Sequence, residues 1–174
     1  MYKRFAFEGE IHTSLSCVPL TVRRKLDLAG LKVSLAGWQQ LAREERLCLC
    51  HLPVATPDDL AVYREVLLGF CSRRDVACKP LQDPQVDARA WNDEAVPTPL
   101  RARAQALHCD LDDQRWAQLD EESRYALVKL ADPKRDPDKL KAALIELGLL
   151  DGPAPVIDPG VSVCDSPSRP GGAR

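Results

Sequence analysis

The pattern W-x-x-L-x-x-E-x-R-x-x-L-x-x-L is written twice in this chain, at 38–52 and again 78 residues later at 116–130. In the same register Val18-Pro19 falls on Val96-Pro97, and Gln40 on Gln118. Agreement at one fixed offset marks an internal duplication, and two copies are too few to stack as a solenoid. The expected architecture is all-α: a compact pseudo-duplicated helical bundle of two related three- or four-helix units, preceded by a short extended N-terminal segment. Repeat one is expected over about 17–71 and repeat two over about 95–148, joined by a linker at 72–94, within one helical domain at 1–150.

Local chemistry repeats with the pattern. Pro19 suits a helix start, because a first-turn residue needs no amide hydrogen bond; Val22, Leu26 and Ala29 then share one side before Gly30 offers a left-handed stop. In the second copy Pro97 and Pro99 take the start, Leu100, Ala104 and Leu107 the stripe, and His108 stands where the glycine was. Ser34 and Asp112 are the next N-caps. Each is flanked by an apolar pair, Val33 with Trp38 and Leu111 with Trp116, in hydrophobic-staple spacing. The polar turns "AREER" and "DEESR" follow, with Asp120 a second cap; one bent helix and two separate helices both fit. Thr56-Pro57 with Asp59, and Asp136-Pro137, start the last helix of each copy.

Outside the repeats the signals are weaker. Phe5, Phe7 and Ile11 alternate briefly, which predicts a short strand or extended cover strip. Val86, Ala88 and Trp91 are the apolar anchors available to the linker. The Pro/Gly-rich tail at 151–174 has a composition that sustains no packed helix and is expected to be disordered.

Composition narrows the function. At 174 residues the chain can bury one sizeable core or two small halves sharing an interface. A net charge of -2 and a pI near 5.9 argue against nucleic acid as a partner. No apolar run of about 18 residues exists, and the opening "MYKRFAFEGEIH" has no signal core, so no membrane association is expected and the reading is cytoplasmic. Seven cysteines, an odd number, are then expected as reduced thiols.

The most chemical-looking cluster is Cys48-Leu49-Cys50-His51. On a helix Cys48 and Cys50 lie about 200° apart and cannot face one ion, although Cys48 and His51 could share a side. The second copy carries Ala126, Val128 and Lys129 there, so the duplication does not repeat the ligand types. Ordinary thiols are the simpler reading, with no metal and no cofactor expected. No G-x-S-x-G turn, H-E-x-x-H pair or glycine-rich phosphate loop occurs. Acidic pairs at Asp58-Asp59, Asp112-Asp113 and Glu121-Glu122 sit where helix starts favour negative charge. No reaction class follows, and the chain reads as noncatalytic.

Two basic runs remain, Arg23-Arg24-Lys25 and Arg73-Arg74. They fit a solvated helix face and a favourable C-terminal charge, or a docking edge for an acidic protein. Arg23, Arg24, Arg73 and Arg74 are the docking candidates, since the repeated Arg46 and Arg124 look architectural.

The stretch "SLSCVPLTVRRKLDLAGLKVSLAGWQQLAREERLCLCHLP", with "TPDDLAVYREVLL" and "LDEESRYALVKLA", resembles the small nitrate reductase-associated proteins. The similarity runs over roughly residues 5–148, through the Phe-rich opening, both Trp motifs and the last helix. It implies an accessory function in nitrate assimilation: supporting maturation, stability or activity of assimilatory nitrate reductase, with that enzyme or its electron donor as partner. Pro19, Trp38, Glu44, Arg46, Trp116 and Arg124 are the matching signature residues, with no chemical role to transfer. The competing reading is a small regulatory or metal-responsive protein using Cys48, Cys50 and His51.

Overall fold

Helix starts follow the capping chemistry of the sequence. The computed structural model describes residues 2–81 and 90–153. Ser34 Oγ accepts from Gly37 N at 3.0 Å and Asp112 Oδ1 from Arg115 N at 2.7 Å, opening α3 (Leu35–Gln40) and α7 (Asp113–Ala117). Thr56 and Asp59 bond reciprocally at the start of α5 (Pro57–Arg73), and Asp136 caps α9 (Pro137–Glu146). Pro19 and Pro97 are the N-cap residues of α2 (Leu20–Leu28) and α6 (Thr98–Ala106), one position before the first helical turn. Beyond α2 and α6, Gly30 and His108 both turn left-handed, with φ of 65° and 59°.

The question of one bent helix or two resolves as two in both places. Extended backbone at Leu41 and Ala42 separates α3 from α4 (Arg43–His51), and Asp120 separates α7 from α8 (Glu121–Leu130). The two joints complete one capping box between them. In the first, Ala42 has no side-chain acceptor but Glu45 Oε2 reaches back to Ala42 N at 2.8 Å. In the second, Asp120 Oδ1 accepts from Ser123 N at 2.9 Å and no return bond is made, because Ser123 stands where Glu45 would.

Two expectations need correction. The fold is mostly helical but not all-α: β1 (Leu31–Val33) pairs antiparallel with β2 (Cys78–Pro80), Leu31 opposite Pro80 and Val33 opposite Cys78. Leu31 and Val33 point inward and Lys32 outward, while Pro80, lacking an amide, sits at a strand end. β2 falls in the linker, where three residues give no periodicity to read. The N-terminus, expected to be extended, is instead a 3-10 turn (Ala6–Glu8) and a short α1 (Ile11–Ser14). Distant partners hold it: Glu146 accepts from Ala6 N and Phe7 N, both at 2.8 Å, and buried Phe5 stacks on Phe7.

Buried side chains form two clusters. The first gathers Leu15, Trp38, Leu49, Tyr63 and Leu67; the second gathers Phe5, Trp91, Trp116, Tyr125 and Leu144. Helix α2 lies between them, packing on α4 and on α8, and its Leu20 belongs to the second cluster. Trp91 anchors the linker, fully buried and edge-on to Tyr125 at 4.8 Å. Val86, Ala88 and residues 154–174 of the tail lie outside the described residues.

Candidate functional site

The signature residues build joints. Leu15 ends α1 in the left-handed region, with φ of 50°, and this turns its carbonyl inward. Trp38 Nε1 donates to that oxygen at 2.8 Å and Arg46 Nη1 at 2.7 Å. In the second half Trp116 Nε1 donates to Asp93 O at 2.9 Å, an acceptor again 23 residues upstream. Arg124 differs from Arg46. Its Nε and Nη2 close the end of α7 on Trp116 O and Ala117 O, at 3.0 and 2.8 Å, while its guanidinium lies 5.5 Å from the Trp116 ring centroid. Pro19 is buried and Glu44 exposed.

The two basic runs meet different fates. Lys25 is not part of a solvated face: it is buried, and its ammonium donates to Cys50 O and Leu52 O, both at 2.6 Å, closing the last turn of α4. Burial holds its pKa below the usual lysine value. Arg24 pairs with Glu121 of α8, its side chain largely covered. Arg23 is half-buried, with Nε donating to Val18 O at 3.1 Å. The solvated-face reading fails because α2 is covered by α4 on one side and α8 on another. Arg73 and Arg74, at the end of α5, are exposed and share Glu45 at 3.7 and 3.1 Å. Burial raises the Glu45 pKa, but the Ala42 amide and both arginines outweigh it and hold it below the ordinary carboxylate value.

The same α2–α8 seam carries Asp27, which accepts from Tyr125 Oη at 2.8 Å and pairs with Lys129 Nζ at 3.0 Å. Burial, then the negative charge of Asp27, pushes the Tyr125 hydroxyl well above its ordinary pKa, so it stays a donor. No motif singled out Asp27, and Lys25 stood out only as part of a basic run. For Lys25 a signal existed: at the 78-residue offset it falls on Arg103, which donates to Asp132 O just beyond α8 at 2.9 Å. Both cations close the same kind of helix end.

Cys48, Cys50 and His51 do not converge. Cys50 is wholly buried and Cys48 partly so, whereas His51 is exposed, its ring edge-on to Tyr2 at 5.0 Å. Burial pushes the Cys50 thiol up to about 11 and the Cys71 thiol to about 12, so both are protonated near neutrality and poor ligands or nucleophiles. Among the described residues no group of three or more His, Cys, Asp or Glu is placed to hold a metal ion. Among the described residues Cys48, Cys50, Cys71, Cys78 and Cys109 are free thiols.

Among the described residues no helix is long and apolar enough to cross a membrane. Neither a curated protein nor a solved structure matches the chain. A family model does, over residues 4–147, and that span takes in both tryptophan joints, the α2–α8 seam and all of α9. The chain belongs to the family of conserved nitrate reductase-associated proteins.

Proposed function

We propose that the protein is a noncatalytic accessory factor that supports the maturation, stability or activity of assimilatory nitrate reductase in the cytoplasm. The observation that carries this reading is membership of a family described by its association with that enzyme, over nearly the whole described chain. The side chains agree with it. Signature donors are spent on backbone carbonyls, and the candidate nucleophiles are buried, protonated thiols. Such a molecule acts through its surface. Of the four docking candidates, Arg73 and Arg74 present exposed guanidiniums on one helix end, whereas Arg23 and Arg24 are half-buried; the first pair is the better edge for an acidic partner.

The fold behind that surface is read as one helical domain grown from a duplicated unit. Its support is the shared register of α2 with α6, of the Ser34 and Asp112 caps, and of the two tryptophan joints. Affinity capture of the full chain from cells growing on nitrate tests the function. Co-purification of nitrate reductase or its electron donor is expected; recovery of the chain with neither partner would refute the reading.

A further inference from the structure

Cys71 and Cys78 bracket the segment that carries Arg73 and Arg74. Helix α5 ends just past Cys71, and the chain reverses at Asp75, whose φ of 54° is left-handed. Val76 N then donates back to Cys71 O at 2.8 Å, and the buried Val76 side chain keeps the turn seated. Cys78 opens β2 opposite Val33. Side chains paired across a ladder share a face, and Val33 is buried, so Cys78 packs on the same core that holds Cys71. Both are free thiols, and their side chains are in hydrogen-bonding contact.

The two thiols are not equivalent. Cys71 is 2% exposed and donates its S–H to Cys78, whereas Cys78 is half-buried. Burial raises both pKa values; at Cys78 the bond from Cys71 and the charge of Arg64 work in the opposite direction. Cys78 is therefore the thiol that meets a reagent from solution, and Cys71 the one that resolves the product. Sulfurs already in contact can be joined with little backbone movement.

We propose that Cys71 and Cys78 are a redox-active pair, oxidised by a small disulfide such as oxidised glutathione to a reversible crosslink that fixes the turn bearing Arg73 and Arg74. The Cys78 sulfur attacks one sulfur of the reagent RSSR, forming Cys78–S–SR and releasing RS⁻, which takes up the Cys78 proton. The Cys71 sulfur then attacks the Cys78 sulfur, forming the internal disulfide and releasing the second RS⁻, which takes up the Cys71 proton. Two thiols are oxidised and one RSSR is reduced to two RSH. Closing the chain between α5 and β2 removes freedom from the residues between them. That this turn is the docking edge rests on the accessory reading; the crosslink itself is tested on the chain alone, so either can fail without the other.

Full-length protein, reduced and then equilibrated at mildly alkaline pH in glutathione buffers of rising oxidised fraction, tests it through alkylation of free thiols and peptide mass mapping. A Cys71–Cys78 linkage is expected to grow with the oxidised fraction and to disappear under dithiothreitol. Amide hydrogen exchange over 74–77 should slow about fivefold in the crosslinked chain. Cys71→Ser is expected to stop at the mixed disulfide of Cys78 with glutathione, and Cys78→Ser to leave Cys71 uncrosslinked. Cys78→Ser, at a half-buried position, keeps the test valid if Cys71→Ser does not fold. No linkage in the most oxidising buffer, pairing of either residue with another cysteine, or unchanged exchange in the crosslinked chain overturns the proposal.

Discussion

The two tryptophan segments share several local features and differ in their side-chain partners. Trp38 and Trp116 each send an indole N–H to a carbonyl 23 residues upstream, and Lys25 and Arg103 each reach from the helix after the proline to a carbonyl near a later helix end. The contrast is in what surrounds these joints. Arg46 shares the carbonyl of its tryptophan, whereas Arg124 stacks on its own; buried Cys50 corresponds in sequence register to Val128. Joints that set the path of the chain resist change, because an indole or cation removed there leaves a buried carbonyl unpaired. Side chains that only fill a core can drift among residues of similar size.

The largest effects are expected at the tryptophans. Trp38→Ala and Trp116→Ala should each lose about 3–5 kcal/mol, since both rings are fully buried, and urea unfolding should show losses within ~1 kcal/mol of each other. A near-neutral result for either would break the equivalence.

The paired cations sharpen it. Lys25→Met leaves two carbonyls at the end of α4 without their buried charged donor and should cost about 2–3 kcal/mol; Arg103→Met, at a half-buried position, should cost about 1. Equal losses in chemical denaturation would contradict the burial argument.

The helix joints come next. Asp120→Ala should cost about 1 kcal/mol, and Ala42→Asp should gain up to about as much by completing the capping box with Glu45. The Asp120 contribution has a defined pH window. Burial would raise its pKa, but bonds from Lys3 and Ser123 outweigh this and leave it below the ordinary 3.8. A lowered folded-state pKa stabilises the fold above 3.8, and that share is lost as pH falls through the folded value. The gap between wild type and Asp120→Ala should therefore hold from neutrality to about pH 5 and shrink below pH 4.

The smallest pair of effects concerns the left-handed turns. Gly30→Ala should cost up to about 1 kcal/mol through φ alone, since a Cβ there would meet only Arg64 Nη1 at 3.6 Å. His108→Gly should gain about 0.5–1 by relieving the same conformation, read as a rise in thermal midpoint.

Helix starts were legible because Ser34, Asp112, Thr56 and Asp136 carry their cap chemistry in their own side chains. The separation of Cys48 from Cys50 followed from helical periodicity, whereas the exposure of His51 did not. Other features depended on partners far along the chain. The turn at Ala6–Glu8 is fixed by Glu146, the strand at Cys78–Pro80 by Leu31–Val33, and the burial of Lys25 by the arrival of α4 over α2. A run of three basic residues looks solvated until the faces of its helix are known to be covered.

The central claim is that this fold serves a surface, and that the exposed arginine pair, rather than the buried basic residues, meets the enzyme. Binding of purified nitrate reductase to the full chain, followed across a salt series for wild type and for Arg73→Glu with Arg74→Glu, tests it most directly. The account expects saturable, salt-weakened binding to wild type and at least a tenfold loss in the double variant, with thermal stability little changed because exposed ion pairs contribute only about 0–1 kcal/mol. No binding to wild type, or binding by the double variant with unchanged strength and salt dependence, would contradict it.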